Sequence, residues 1–449
     1  MAEEAARRSR RRGRLTAGRS GPGRPIQTTS TGGTTSRRAH GPDLQDPKLL
    51  LRDDVVADPR PLYDALRRRA PVWQLPGQQT YLVSDPALIR DAVARPGDFS
   101  SNLVSLLHRG ADGTPVQLRI AAPGDAIHVL ATADPPVHTR HRRLLQPHLN
   151  AVAVASLEPW LHEVVERQIA PMLAAGRGDA VEQLSDPLPA MTICRLVGLP
   201  EDDAFDLIPV VADIGPFLDG LSDLEGMASA AVAVGKLHEY IQTRLDAALA
   251  RPADERSGLL GVLGGAVDSG AIDADEARNV LTQIFSAGSE TTSGLIATTI
   301  ETLARDHDLQ GRLRSDPAQI PDALDDVLRD DGPFQFHYRW STTDTTLGDV
   351  PIPAGSVILL MWAAANRPAP AGSGNGREDV GDGGLHFAFG RGLHFCVGAP
   401  LARLESRIAI EGLLLATSRI ALDPQQPPVR RRSIFLRRHA SLPVVLERA

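Results

Sequence analysis

The chain has 449 residues, a formal net charge of −7, 42% hydrophobic residues and 23% charged residues, values typical of a soluble globular protein. Its two cysteines, Cys194 and Cys396, lie far apart. This spacing argues against a disulfide-rich secreted protein and fits a reducing cytoplasm. The longest apolar run, residues 357–365, has nine residues. Because a membrane-spanning helix needs about 20, we expect no membrane association.

Residues 1–40 differ in composition from the rest of the chain. They contain ten arginines and two acidic residues among Gly, Ser, Thr and Pro, which predicts a disordered basic arm before a single domain at residues 41–449. No apolar stretch follows the arginines, so an export signal is not expected. Residues 41–449 carry 38 basic and 53 acidic residues. This acidic domain argues against nucleic acid as the main partner.

Hydrophobic spacing along the domain predicts mostly helices, with apolar residues three and four apart. The predicted helices are residues 58–69, 85–94, 139–155, 158–175, 188–196, 202–214, 227–249 and 273–305. Short β-branched or alternating runs predict strands at residues 72–75, 80–83, 346–352, 356–360 and 442–446. The sequence therefore predicts a mainly α fold with a small β-sheet region.

The helix that begins after Asp134-Pro135-Pro136 carries two donors on one face. His138 and Arg142 are four residues apart, so they lie above one another on the helix. Such a pair of donors suits carboxylate groups. Taken singly, each residue is more often a surface cation.

The longest predicted helix has polar residues at its centre, in the segment 287–292. Gly288 costs about 1 kcal/mol relative to alanine inside a helix, and Glu290 beside Thr291 is poor core material. A groove that admits a small ligand would explain these three residues. A helix kink with an exposed Glu-Thr pair is the alternative.

The segment 389–398 places Cys396 in a loop with three glycines, Gly390, Gly392 and Gly398. Glycine permits positive φ and a close approach to a flat ligand. Pro400 suits the first turn of a following helix, whose positive end favours a deprotonated sulfur. The pattern indicates a thiolate ligand, and a glycine-rich turn around a buried cysteine is the alternative.

This loop resembles the haem ligand loop of the cytochrome P-450 family, Phe-Gly-x-Gly-x-His-x-Cys-x-Gly, at every fixed position. The resemblance covers roughly residues 45–449 and implies haem b held by the Cys396 thiolate, which favours O–O cleavage. It also places Phe389, Gly390, Gly398 and His394 at the cofactor.

Three further segments carry the resemblance. The central run resembles the family's Ala-Gly-x-Glu/Asp-Thr-Thr signature, which implies that Thr291 steadies dioxygen during its activation and that Glu290 gates proton delivery through water. The stretch after Asp134 resembles Asp-Pro-Pro-x-His-x-x-x-Arg, which implies that His138 and Arg142 bind haem propionates. Arg339 and His394 match two further propionate contacts. The helix containing Cys194 also matches, and that cysteine is interpreted as inert packing.

The chain departs from the family pattern at two places. Asp326 with Arg329 replaces the family's Glu-x-x-Arg, so the carboxylate is one methylene shorter, and the neighbouring Asp325, Asp330 and Asp331 compete for the arginine. Residues 368–384 contain six glycines and two prolines, and Arg377 is the candidate third member of the usual Glu-Arg-Arg triad. Both departures concern haem retention.

The resemblance implies a haem-thiolate monooxygenase that inserts one oxygen atom into a small organic substrate in the cytoplasm. Its electrons would come from a ferredoxin with its reductase, docked on a basic patch. That patch comprises Arg140, Arg143, Arg403 and Arg407. The expected pocket segments are residues 102–131, 205–235, 285–289, 334–338 and 438–441. The alternatives are a peroxide-using enzyme, a catalytically impaired P-450-like partner or activator of another enzyme, and a haem-based sensor.

Overall fold

The computed structural model describes residues 41–122, 126–368 and 386–449, which belong to one unit, Gly41–Ala449. The helices are α1 Asp53–Ala57, α2 Arg60–Arg69, α3 Pro86–Ala94, α4 Val137–Leu149, α5 Ala151–Ala155, α6 Glu158–Ala175, α7 Pro187–Val197, α8 Asp203–Ala212, α9 Leu224–Leu249, α10 Gly258–Asp268, α11 Ala274–Arg305, α12 His307–Ser315, α13 Ile320–Asp331, α14 Trp362–Ala365 and α15 Ala399–Ala416. The strands are β1 Val72–Gln74, β2 Thr80–Val83, β3 Phe99–Ser100, β4 Ser105–Arg109, β5 Pro115–Arg119, β6 Arg177–Asp179, β7 His337–Ser341, β8 Thr345–Leu347, β9 Val350–Ile352, β10 Val357–Leu360, β11 Thr417–Leu422, β12 Val429–Arg430, β13 His439–Ser441 and β14 Pro443–Arg448. The predicted arm at residues 1–40 lies outside the described residues.

Helix α11 is the central element of the fold. The Asp273 carboxylate accepts the Glu276 amide hydrogen at 2.7 Å, and Glu276 accepts the Asp273 amide at 3.2 Å, which is a capping box. The helix has 32 residues and is therefore about 48 Å long. It packs against α7, α9, α13 and α15. The prediction of this helix is confirmed.

The sheets form a small part of the fold. The five-stranded sheet has the order β1-β2-β10-β7-β3, with β2 and β10 parallel and the other neighbours antiparallel. A three-stranded sheet has the order β11-β14-β6. The predicted mainly α fold with a small β region is confirmed. In the described ranges, no helix is both long enough and apolar enough to cross a membrane.

Several elements differ from the sequence prediction, among them α4, the segment 102–131 and α10. The helix predicted at 139–155 is divided at Asn150, whose extended backbone ends α4 and whose side chain accepts the Ala153 amide hydrogen at 3.0 Å. The loop predicted at 102–131 contains the antiparallel hairpin β4–β5. Helix α10 has a glycine-rich sequence with little helix propensity. It forms because its apolar face, including Leu259 and Leu263, is buried in the main core.

Candidate functional site

A cavity of about 240 Å³ lies between the middle of α11, the start of β7, helix α4 and the loop at 388–398. Among the described residues, no side chain from 205–235 or 438–441 lines it, so the expectation for those two segments is wrong. The loop after α8 instead packs over hairpin β4–β5. The Tyr338 hydroxyl donates to the Leu218 carbonyl at 3.2 Å, and a Cβ on Gly220 would lie 3.3 Å from Leu107 Cβ.

The cysteine loop has the tight geometry that its glycines predict. Gly390 and Gly392 have φ of +70° and +71°, and a Cβ on Gly392 would meet Val93 at 3.3 Å. The Cys396 amide donates to the Phe389 carbonyl at 2.9 Å. Gly398 differs from the prediction because its φ is −86°. A Cβ there would lie 3.9 Å from Cys396 Sγ, so this glycine keeps the space beside the sulfur open.

The Cys396 side chain lines the cavity. Helix α15 begins three residues later with Pro400 in its first turn, as predicted. Burial raises the pKa of the Cys396 thiol, although hydrogen bonds from the amides of Gly398 and Ala399 lower it. The amides at the helix start therefore favour the deprotonated sulfur, as predicted, but burial has the larger effect. A cation bound at the sulfur would add to the effect of these amides and favour the thiolate.

Three of the four predicted propionate-binding residues, His138, Arg142 and His394, line the cavity. The rings of His138 and His394 are 4.3 Å apart, and neither Nδ1 atom has a hydrogen-bond partner in the described part of the chain. Arg142 donates to the carbonyls of Leu393 and Phe395 at 3.1 and 2.7 Å. It therefore braces the cysteine loop as well as lining the cavity.

Arg339, the fourth predicted residue, lies on strand β7 and is not among the cavity-lining residues. Its side chain is buried and donates to the Tyr338 carbonyl at 2.7 Å. Burial lowers the pKa of Arg339 to about 10, and Asp134 opposes that effect. Burial also lowers the pKa of His394 to about 2, with further lowering by the nearby Arg339 and His138. The group has a surplus of donors and positive charge.

Asp134 orients His394 through Ser101, a connection that the sequence analysis missed. The Asp134 carboxylate accepts the Ser101 amide hydrogen at 2.9 Å. The Ser101 hydroxyl contacts His394 Nε2 at 2.9 Å. This contact leaves His394 Nδ1 as the unpartnered ring nitrogen. Unpartnered buried nitrogens beside two guanidinium groups fit a ligand that carries two carboxylates, as haem does.

The polar centre of α11 divides between two sides of the helix. Thr291 lines the cavity, and its hydroxyl donates to the Ala287 carbonyl at 2.7 Å. Its oxygen lone pairs are therefore available to accept a hydrogen bond in the cavity. Gly288 also lines the cavity, but a Cβ there would lie 2.5 Å from Ile193 Cδ1. Close packing against α7 is thus a sufficient reason for this glycine, besides the predicted groove.

Glu290 is not among the cavity-lining residues. Its carboxylate lies 3.5 Å from the buried guanidinium of Arg438, which Asp186 also contacts at 3.3 Å. Ser293 donates to Asp186. Burial raises the pKa of Glu290, while the nearby Arg438 and Arg431 lower it. The alternative of a kink with an exposed Glu-Thr pair is therefore wrong for Glu290, because only 13% of its side chain is exposed.

Two aspartates of α13 form ion pairs where the sequence predicts one. Asp326 makes the predicted pair, and Asp325 makes an additional one. Asp326 contacts Arg329 directly at 2.5 Å, although 74% of the Asp326 side chain is exposed. Asp325 does not compete for Arg329, because it accepts from Arg403 at 2.8 Å and contacts His386 Nε2 at 3.2 Å. The Ala388 amide donates to His386 Nδ1 at 3.1 Å. Asp325 therefore ties α13 to the chain that enters the cysteine loop.

The remaining residues considered for this ion-pair network are Asp331 and Arg377. Asp331 does not compete for Arg329 either, since it pairs with Arg430 and Arg437 at 2.9 and 2.6 Å. The glycine-rich segment and Arg377 lie in residues 369–385, outside the described residues. The assignment of Arg377 stays a prediction.

The predicted basic patch is largely neutralised by carboxylates. Arg140 pairs with Glu276, Arg403 with Asp325, and Arg407 with both Glu158 and Glu411. The expectation of a locally basic patch is therefore wrong for these three arginines, whose charges are paired. The interpretation of Cys194 as packing fits its environment, since the side chain is fully buried and burial raises the pKa of the thiol to about 12.

The cavity residue Glu405 was missed by the sequence analysis, whereas His337 lies in the segment 334–338 that was expected to line the pocket. Glu405 lies on α15 and is 1% exposed. Its Oε2 has no hydrogen-bond partner in the described ranges, and burial raises the pKa of the carboxyl well above its usual value. No motif marks Glu405, because only the fold turns it toward the cavity.

We expect Glu405→Gln to stabilise the protein increasingly as pH rises from about 5 to about 8. A carboxyl with a raised pKa in the folded state destabilises that state above the pKa of the unfolded chain, about 4.3. Glutamine removes this penalty. Urea unfolding at several pH values measures the free-energy difference. Glu411→Gln on the same helix is the control, because Glu411 is paired with Arg407; equal pH profiles for wild type and Glu405→Gln contradict the expectation.

The comparisons with known proteins agree with this geometry. No family model matches the chain. The chain is 35% identical over 376 residues to cytochrome P-450 144 of Mycobacterium tuberculosis, covering 83% of this chain and 86% of that protein. It is 32% identical to the cytochrome P-450 monooxygenase PikC of Streptomyces venezuelae, covering 83% and 87%. It is 31% identical to the vitamin D(3) 25-hydroxylase of Pseudonocardia autotrophica, covering 87% and 94%.

Solved structures show the same fold. A mutant of P-450 EryK in complex with erythromycin B matches with a TM-score of 0.74 and 28% identity, over 87% of this chain and 97% of that chain. CYP109E1 of Bacillus megaterium in complex with testosterone matches with a TM-score of 0.75 and 25% identity, over 87% and 98%. Sequence identity and fold together show that the chain belongs to the cytochrome P-450 family and is a monooxygenase that carries haem on a cysteine thiolate.

Proposed function

We propose that this enzyme inserts one oxygen atom from O2 into an apolar organic substrate, with Cys396 as the haem ligand and with electrons from an external ferredoxin and its reductase. The single observation that carries the assignment is the placement of Cys396 and Thr291 on the same cavity. Thiolate-bound haem supplies oxygen activation, since the sulfur donates electron density that favours O–O cleavage. The remaining roles belong to residues of this chain.

The haem-binding residues are proposed from the donors around the cavity. His138, Arg142, Arg339 and His394 would bind the propionates, because two guanidinium groups and two unpartnered ring nitrogens match two carboxylates. Phe389, Gly390 and Gly398 would shape the loop against the cofactor, since all three line the cavity.

Proton handling is assigned to the two sides of α11. Thr291 offers an acceptor oxygen to the cavity because its own proton is donated to Ala287. Glu290 lies one residue earlier, outside the cavity, where burial favours its protonated form and Arg438 opposes this. A carboxyl under these opposing influences can hold and release a proton. We therefore propose that Glu290 passes protons between the buried pair of Arg438 and Asp186 and the cavity.

We expect Thr291→Ala to uncouple oxygen consumption from product formation. Without the acceptor oxygen, oxygen activation loses its hydrogen-bond partner, so product per oxygen consumed falls several-fold and hydrogen peroxide rises. Product, oxygen and peroxide are measured together. Ser289→Ala is a matched control, because Ser289 makes the same bond to the carbonyl four residues earlier, at 2.9 Å, but does not line the cavity. Unchanged coupling in Thr291→Ala would remove the assigned role.

The proposed substrate class rests on the apolar cavity and on the relatives. Leu130, Ile193, Leu196, Ile284 and Phe334 line the cavity. The relatives include enzymes named for vitamin D(3) and erythromycin hydroxylation, and the matching structures hold testosterone or erythromycin B. Steroids and macrolides are therefore the first ligands to screen by the spin-state shift of the haem.

The electron source and location are proposed with the function. Turnover with a ferredoxin and its reductase is compared with turnover by peroxide, which tests the electron source. Turnover with peroxide but none with ferredoxin and reductase would contradict the proposal.

A cytoplasmic location is supported by the two free cysteines, Cys194 and Cys396, because thiols persist in reducing compartments. The arm at residues 1–40 is proposed to be a solvated basic tail outside the catalytic domain.

A further inference from the structure

We propose that His337 is a further haem-binding residue, whose Nε2–H donates a hydrogen bond to a propionate. This inference rests on the proposed propionate group of His138, Arg142, Arg339 and His394, and it adds a member that no sequence motif marks.

The tautomer of His337 is fixed by Trp362. The indole Nε1–H of Trp362 donates to His337 Nδ1 at 3.3 Å. An indole nitrogen is only a donor, so His337 Nδ1 must be the acceptor and the ring proton must lie on Nε2. Burial and the charge of Arg339 lower the pKa of His337 to about 3. The ring is therefore neutral and has one donor, Nε2–H.

The orientation of His337 is fixed by its neighbours and by strand β7. Its ring centroid lies 4.5 Å from that of Phe334 and 6.1 Å from that of Trp362, and all three residues line the cavity. No group in the described part of the chain accepts a hydrogen bond from Nε2. His337 and Arg339 are two residues apart on the strand, so their side chains leave the same face.

Charge balance favours a propionate as the acceptor. His337 lines the same cavity as His138, Arg142 and His394, and it lies two residues before Arg339 on β7. Two guanidinium charges, from Arg142 and Arg339, match the two charges of the propionates. A third cation would be in excess there, whereas a neutral N–H donor adds a hydrogen bond without adding charge.

Haem release from the loaded protein tests the proposal. We compare His337→Phe with His337→Gln, because the glutamine amide places an N–H donor near the position of Nε2. The rate of haem transfer to apomyoglobin is measured in wild type and both variants. Loss of one charge-assisted hydrogen bond should accelerate release about tenfold in His337→Phe, while His337→Gln should stay within about twofold of wild type.

Several outcomes would overturn the proposal. Equal release rates in wild type and His337→Phe would show that no propionate depends on this donor. Release from His337→Gln as fast as from His337→Phe would assign the effect to packing. If His337→Phe changes the spin-state response to steroids but not the rate of haem release, the His337 Nε2–H binds substrate and not a propionate. All tests use wild type that first shows a haem-thiolate spectrum, so failure of the proposed function is recognised separately.

Discussion

Replacing Cys396 by alanine is expected to abolish oxygen-dependent turnover and the thiolate signature of the haem. Alanine has no ligand atom, and no other cysteine of the described residues lines the cavity. The iron would lose the donor that favours O–O cleavage. Haem content, the absorption spectrum and product formation are measured on the same preparation.

The matched control is Cys194→Ala. Cys194 is fully buried in α7 and lies outside the cavity, so this change should cost about 1 kcal/mol of stability at most and leave the spectrum unchanged. Retention of a thiolate spectrum in Cys396→Ala would contradict the assignment of the ligand. Loss of the spectrum in Cys194→Ala alone would contradict it equally.

Replacing Glu290 by glutamine is expected to lower turnover about 100-fold, the usual contribution of a positioned proton-transfer group. Glutamine keeps the size of the side chain and cannot release a proton. Arg438 keeps a carboxylate partner in Asp186 at 3.3 Å, so the buried guanidinium remains paired and the fold should persist. Turnover is measured in H2O and D2O, together with peroxide formation.

The solvent isotope effect separates a proton gate from a structural role. If Glu290 delivers protons, Glu290→Gln slows the proton-dependent step, and the ratio of rates in H2O and D2O rises. A merely structural residue would lower turnover without changing that ratio. Asp275→Asn is the control on the same helix, since Asp275 is largely exposed and pairs only with neighbouring Arg278 among the described contacts. Near wild-type turnover in Glu290→Gln would contradict the gate.

The local features of the site could be predicted from the sequence because each depends on short spacing. The glycines before Cys396 predict the tight loop, and Gly390 and Gly392 do have positive φ. Apolar residues three and four apart predict the long helix that carries Thr291, and the structure confirms it. Such signals act over a few residues, so they survive without knowledge of the fold.

The features that were missed depend on contacts between distant parts of the chain. Glu405 faces the cavity only because α15 packs as it does. The four arginines of the expected patch look basic in sequence, but three of them, Arg140, Arg403 and Arg407, pair with carboxylates in space. The shorter Asp326 looked like a weakened brace, whereas Asp325 provides a second connection to the cysteine loop through His386.

The most direct test of the account is the absorption spectrum of the reduced protein treated with carbon monoxide. If Cys396 holds the haem iron as a thiolate, the Soret band shifts to the position typical of haem-thiolate proteins. An unshifted band, or a protein that takes up no haem, would contradict the account.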